Sequence, residues 1–484
     1  MKSFRFLPLA IILITISLAC TIFSGTSSPT SPPPQTSAPI IVPTQAAPLQ
    51  PALSMPAPWM IIRASDGLWA ANSDGSGVVR LLAGSQWQSD FTRAVQPNGN
   101  LVVILTYGAD PYHNLALNLL SLPDGTLQKI TNLTTPQTEP AADAMPGTDA
   151  LEAMRAVSEQ NSYAWSPDGT KLAFIGAMDG PSADVYLYNL NSRTITRVST
   201  DPSANYWPSW SPDGNHLIFL GADSFGIGAG LAMNGVWSAN GDGSNVQLLF
   251  NPTSSGEEIL GWIGNESVVL QSWDPGQGPS NLRIYNILTK DSVSLPTDPV
   301  MAAVSDPGTI MSSFDKGSVL FSQTQGLSIL LTGQTIPTKL TDKQANEIRW
   351  IRDSSMFEVV FADGSLGTYQ SDGSSPEIAP AELYGARLGN SNVSMYGLIW
   401  GWTSTSSNAP GVWITGPGLN FPQIFTDSAV APLWDAHNNL VFFSGGSLYR
   451  ATFEAYYSDL TPIANLPGEV TDAAWVGTKG FDIY

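Results

Sequence analysis

Three histidines, one cysteine and a scatter of acids are the chemically capable side chains here, and their spacing limits what they can do. His113, His216 and His437 lie 103 and 221 residues apart. None has a histidine partner one helical turn away, the arrangement that holds a zinc ion. The loops Asn72-Ser73-Asp74-Gly75-Ser76 and Asn240-Gly241-Asp242-Gly243-Ser244 offer spaced oxygens. A calcium loop of the EF-hand kind, however, runs over about twelve residues and closes on a bidentate Glu. Both loops read instead as hairpin turns. No metal and no cofactor are expected. The Gly-x-Ser-x-Gly elbow of serine hydrolases is missing. Asp223, Glu257, Glu258 and Asp274 are candidate acids for glycan chemistry, which needs two carboxylates flanking one bond. No spacing brings any two of them together, so they read first as solvated acids on an acidic chain. Aromatics give a stronger lead. Tyr206 and Trp207 precede an apolar strand, and Trp273, Trp400 and Trp402 fall at or beside strand ends. Such side chains suit a peptide or a sugar, although core packing uses aromatics equally well. Tyr206 and Trp207 are the expected partner contacts.

These residues are positioned by one repeated phrase. Tyr163–Gly176 reads Y-A-W-S-P-D-G-T-K-L-A-F-I-G, and Pro208–Gly221 reads P-S-W-S-P-D-G-N-H-L-I-F-L-G, with Trp165 and Trp210 45 residues apart. Each phrase is a strand, a tight turn and a second strand. Pro167 and Pro212 pre-set the backbone, Asp168 and Asp213 accept turn hydrogen bonds, and Gly169 and Gly214 take the left-handed conformation. The apolar run that follows predicts a strand buried on both faces.

The rhythm continues along the chain. Trp262, Trp350, Trp434 and Trp475 head weaker copies at intervals of 88, 84 and 41 residues, close to one or two multiples of the roughly 44-residue blade period. Weak copies also fall near Ser312 and Arg387. Counting every copy gives nine, and dropping the two weakest gives seven. The expectation is therefore an all-β propeller of about eight four-stranded blades. The unit Met60–Leu82 lacks a strand that the copy at Trp475 supplies, closing the ring with strands from both ends and removing the open edge. The helical pattern at Thr148–Gln160, with Leu151, Met154 and Val157 on one face, reads as a surface insertion in the region 134–160.

The W-S-P-D-G phrase, its aliphatic–aromatic strand and the N-x-D-G-S hairpin resemble the TolB-type, WD-like propeller repeat. The matching residues are Trp165–Gly169, Trp210–Gly214, Asn72–Ser76 and Asn240–Ser244. TolB itself has a mixed domain before its ring, for which this sequence leaves no room. The resemblance therefore implies a propeller of that type and not TolB itself. Propellers of this type also occur fused to serine-peptidase domains, but here the repeats run to residue 484.

Composition agrees with this reading. Charged residues make up 12%, about half the usual share, while 44 Gly and 37 Pro supply turns. The net charge of −20 argues against nucleic acid, which needs a basic footprint. The lone Cys20 permits no internal disulfide.

Residues 1–19 carry Lys2 and Arg5, an apolar stretch from Phe6 to Ile16, and Ser17-Leu18-Ala19 before Cys20. The stretch is short for a membrane span and fits a secretory signal. With Cys20 it resembles the lipobox of bacterial lipoproteins, departing from it in having Ser17 where Leu is preferred. An ordinary signal and an uncleaved anchor are the alternatives. Cleavage before Cys20 removes two cations, so the net charge of −20 becomes −22. Residues 20–58 form an uncharged Pro/Ser/Thr-rich tether, and 59–484 form the ring. Together these features predict an extracytoplasmic, lipid-anchored, non-catalytic binding or scaffold module. One face would dock a protein or polysaccharide of the cell envelope, and a glycan-active propeller enzyme is the alternative.

Overall fold

The computed structural model describes residues 53–477 and the pair Ile40–Ile41. Excepted are the internal segments 141–148, 225–230, 252–256, 275–277, 296–309, 313–316, 352–355, 380–390, 394–398, 405–409 and a few shorter gaps. The described residues form nine antiparallel sheets arranged as a β-propeller, each a blade of four strands, with a fifth strand, Ile40–Ile41, added to one of them. Blade 1 alone draws on both ends of the chain. Its inner strand is Val470–Val476, which pairs with Trp59–Ala64 in the register Trp59↔Val476, Ile61↔Ala474 and Arg63↔Asp472. Gly67–Asn72 and Val79–Ala83 complete it. The predicted closure by terminal strands is thus present.

Blades 3 and 4 carry the intact phrases. In blade 3 the Ser166 hydroxyl donates to Asp168 Oδ1 at 2.6 Å, Thr170 N donates to the same oxygen at 3.0 Å, and Lys171 N donates to Ser166 Oγ at 2.9 Å. Ser211, Asp213, Asn215 and His216 repeat the pattern. Gly169 and Gly214 sit at φ of 67° and 69°, the left-handed region that the turn requires. The following strands, Lys171–Gly176 and His216–Ser224, bury Leu172–Ile175 and Leu217–Leu220 almost completely.

The heading tryptophans join one blade to the next. Trp165 Nε1 donates to the Ala94 carbonyl at 2.9 Å, Trp210 Nε1 to Ala164 at 3.1 Å and Trp475 Nε1 to Trp434 at 2.9 Å. A single side chain therefore fills an inter-blade gap and satisfies a backbone acceptor of the preceding blade, on its inner strand at Ala164 and Trp434 and at the end of the helix Phe91–Ala94 for Trp165.

The blade count becomes definite, and one expectation is corrected. Among the described residues the blades number nine, within the expected seven to nine and equal to the count of every copy. Both weak copies are complete blades, with inner strands Ile310–Ser312 and Ser391–Val393. At three residues each, these strands are too short to leave a clear pattern. Blade 2 has only Trp87–Gln88 as its inner strand, and Phe91–Ala94 is a short helix, α1. The helix α2, Asp149–Ser158, is not a surface insertion. Ala153, Met154, Ala156 and Val157 are each at most 1% exposed, and α2 packs on the inner strand of blade 4, Ala204–Trp210. Furthermore, Ile40–Ile41 of the Pro-rich tether pairs with Thr194–Arg197, the outer strand of blade 3.

The two ends of the blades differ. First-to-second and third-to-fourth strand turns share one face: Gly241 N bonds the Asn215 carbonyl at 2.6 Å, and Leu190 N bonds that of Thr170 at 3.0 Å. This is the turn face. Second-to-third and blade-to-blade connections lie on the opposite, loop face.

Candidate functional site

A pocket of about 290 Å³ opens on the loop face among blades 1, 2 and 3. Its members come from strand ends that the ring brings together. The blade 1 pairing sets Arg63 opposite Asp472, with a bulge between Arg63 and Ala64, and Thr471 lies on the rim. Blade 2 contributes Trp87, Gln88, Ser89 and Asp90, just where its inner strand gives way to α1. Blade 3 contributes Tyr163, the first residue of its inner strand.

The positions of these side chains are fixed by contacts. The Arg63 guanidinium lies 5.0 Å from the Phe91 ring centre and 5.7 Å from that of Trp87, and it donates to the Ser89 carbonyl. Such stacking holds a planar cation while leaving further donors available. Trp87 Nε1 donates to the Gly84 carbonyl at 2.9 Å, the Ser89 hydroxyl donates to Val103 O at 2.7 Å, and Asp90 N donates to the Tyr163 hydroxyl oxygen at 3.0 Å. Gln88 Nε2 donates to the Ser158 carbonyl at 2.7 Å, tying the pocket to the end of α2.

Electrostatics distinguish the residue set opposite Arg63. Burial pushes the Asp472 carboxyl above its usual range. The Arg63 guanidinium opposes that shift and the Asp90 charge adds to it. Burial also pushes the Tyr163 phenol up to about 12, so it stays protonated at neutral pH. The pocket thus combines a stacked cation, the acid Asp90 and an aromatic wall under a rim of hydroxyls (Ser65, Ser85 and Thr471), with the half-buried Asp472 carboxyl opposite Arg63 in the strand register. Such an arrangement can orient a polar chain by hydrogen bonds while one of its apolar faces rests on Trp87.

The sequence-predicted residues lie elsewhere. Tyr206 is buried beneath α2 and donates to the Glu152 carbonyl at 3.1 Å, so it is an internal contact rather than a partner contact. Burial pushes its phenol far up. Trp207 is half-buried and donates to Glu159 Oε2 at 2.8 Å. It occupies φ 54° at the bulge between Tyr206 and Ser209, a conformation costly for a bulky residue. Trp207 therefore clamps α2 and retains some exposed surface on the loop face. Trp402 is core, at 1% exposure.

Asp223 is exposed on the second strand of blade 4. Glu257, Glu258, Trp273, Asp274 and Trp400 lie on strands, with side chains outside the described set. His113 bonds Asp110 at 2.8 Å on the loop face. That contact raises the histidine's pKa and lowers the aspartate's. His216 and His437 are on the turn face. Among the described residues no three His, Cys, Asp or Glu side chains converge as metal ligands would. Cys20 lies outside the described residues.

No protein-family profile matches the sequence, and no curated protein matches it. Solved structures do resemble it. A eukaryotic initiation factor, 14% identical, covers 87% of this chain and 98% of its own, with a TM-score of 0.54. TolB from Acinetobacter baumannii is 18% identical with a TM-score of 0.32; the match covers 58% of this chain and 62% of TolB. Dipeptidyl peptidase 4 of Porphyromonas gingivalis is 11% identical over 78% of this chain and 59% of its own, with a TM-score of 0.47. The chain has the β-propeller fold. At these identities the likenesses speak to fold alone.

Proposed function

We propose that the chain is an extracytoplasmic binding module, anchored through an acylated Cys20, whose loop-face pocket docks a protein or polysaccharide of the cell envelope. The observation that carries this reading is the Arg63 guanidinium held over Trp87 and Phe91 beside Asp472 at an open pocket. A cation fixed in this way is already oriented before a ligand arrives, so little ordering entropy is lost on binding. The export-type N-terminus and the net charge of −22 after cleavage fit a soluble body displayed outside the cytoplasm.

The test uses full-length protein on peptide and envelope-glycan arrays, beside Arg63→Ala and Tyr112→Ala. Tyr112 is on the loop face but is not among the pocket residues. A ligand retained by Tyr112→Ala and lost by Arg63→Ala supports the reading. A ligand that both variants hold equally well would move the site away from the pocket.

One observation favours a second reading, a glycan-active enzyme. Asp472, set opposite Arg63 and next to the lining residue Thr471, has a raised pKa to which the Asp90 charge contributes, as an acid near a second carboxylate would. Turnover of an envelope polysaccharide that Asp472→Asn abolishes, with binding retained, would establish it over the first.

A further inference from the structure

Eight large apolar side chains are exposed among the described residues, two of which, Val293 and Ile378, lie on outer strands at the ring's circumference. Among the described residues Val246, Leu288, Ile336, Phe453 and Tyr456 all sit on turns of the turn face, in blades 4, 5, 6 and 9. Among the described loop-face residues Tyr112 is exposed. The most prominent tip is the blade 9 turn from Thr452 to Asp459. Tyr456 is 79% exposed and Phe453 44%, with ring centres 6.5 Å apart.

That turn is built rather than loose. Asp459 accepts from Thr452 N at 3.0 Å and from its hydroxyl at 2.7 Å. Tyr457 is buried, and its hydroxyl donates to the Asn438 carbonyl at 2.9 Å. Tyr456 and Tyr457 are held at φ of 51° and 60°, two successive bulky residues in the left-handed region. Strain of that kind persists only where the surroundings over-determine it. Here it keeps an aromatic pair pointing outward.

The chain reaches the ring on the same face. Leu53 N bonds the Pro123 carbonyl at 3.0 Å in the blade 2 turn. Asn72, at the blade 1 turn, bonds Met55 N and Ser54 Oγ, each at 3.2 Å. Ile40–Ile41 is paired to blade 3. The incoming segment thus occupies blades 1 to 3, and the apolar tips belong to the other blades. With Ile40 pinned, the twenty residues from Cys20 to position 39 reach at most about 70 Å. A tether of that length holds the ring at high effective concentration over its membrane.

We propose that the turn face is the membrane-facing side, and that the Phe453–Tyr456 tip rests in the interface of a bilayer of low surface charge while the pocket faces away. Aromatic rings favour that depth, where the ring is apolar and the hydroxyl hydrated. The body's negative charge opposes anionic lipid, so phosphatidylglycerol weakens the contact and added salt restores it. This inference rests on the anchoring at Cys20 proposed above.

The experiment uses full-length protein from bacterial membranes, reconstituted in phosphatidylcholine vesicles that contain nitroxide-bearing phosphatidylcholine. A thiol-reactive fluorophore is placed at Tyr456→Cys, Ile336→Cys or Tyr112→Cys, and the intact mass reports acylation of Cys20. Loss of fluorescence at 456 and 336 with none at 112 is expected. Acylated, vesicle-bound protein quenched at 112 or at no position overturns the orientation and leaves the anchor intact. Protein that carries no acyl chains and does not float with vesicles overturns both.

Discussion

Replacing Trp210 with Phe tests whether the tryptophan ties hold the ring together. Trp210 is 2% exposed, and its Nε1 reaches the Ala164 carbonyl of blade 3 at 3.1 Å. Phe keeps most of the apolar body and removes only the donor and part of the ring. The lost hydrogen bond contributes about 1 kcal/mol, and the carbonyl left short of a partner adds roughly another 1 kcal/mol. The missing ring atoms leave a small cavity costing about 1 kcal/mol more, a fraction of the 3–5 kcal/mol for full truncation. Lys171, whose Nζ lies 5.9 Å from the Trp210 ring centre and bonds the Gly241 carbonyl at 2.7 Å, keeps its backbone contact. The expected loss is therefore about 2–3 kcal/mol. It would be read as a lower urea midpoint at unchanged m-value in full-length protein. A loss below about 0.5 kcal/mol, the range of surface substitutions, would refute the argument that the indole joins two blades.

Met154→Ala in α2 is expected to cost about 2–5 kcal/mol because Met154 is fully buried; thermal unfolding distinguishes this from the near-zero effect on a surface helix. Acid should weaken the protein through its turn aspartates. Lys343 and Ser365 hold Asp363 down to about 2. At Asp168 and Asp213, bonds from the neighbouring Ser, Thr or Asn outweigh burial and lower the pKa. Folded values below the unfolded one of about 3.9 contribute stability that is present above it and lost as pH falls toward 2. Asp363→Asn should flatten the urea midpoint between pH 4 and 2, and an unchanged profile would contradict the assignment. Asp472→Asn should leave stability unchanged or raise it, since burial already disfavours the charged form and Arg63 keeps the Ser89 carbonyl and two aromatic rings. Ligand binding should fall in the same variant, and a marked loss of stability would show that Asp472 is structural.

The sequence makes the ring legible because each turn writes its own chemistry locally. Ser166, Asp168 and Gly169 bond within five residues, as do Ser211, Asp213 and Gly214. Blades 6 and 8 are nearly silent for the opposite reason: their three-residue inner strands are specified by neighbouring blades rather than by a motif. The periodicity of α2 shows one apolar face, through Met154 and Val157. It does not show that Ala153 and Ala156 are also covered by the blades around them. Trp207 was visible as an aromatic, whereas its role as a clamp on Glu159 depends on where α2 lands. The pocket leaves no local trace. Arg63 and Asp472 meet only because the last strand pairs with the first of the ring, so no spacing rule connects them.

Photo-crosslinking in intact cells tests the docking claim most directly. A crosslinking amino acid at Thr471, exposed on the pocket rim, is compared with one at Ile336 on the turn face. The account predicts a discrete adduct from position 471 that disappears when Arg63→Ala is added, and none from position 336. An adduct that forms from 336 alone, or that survives at 471 without Arg63, would contradict it.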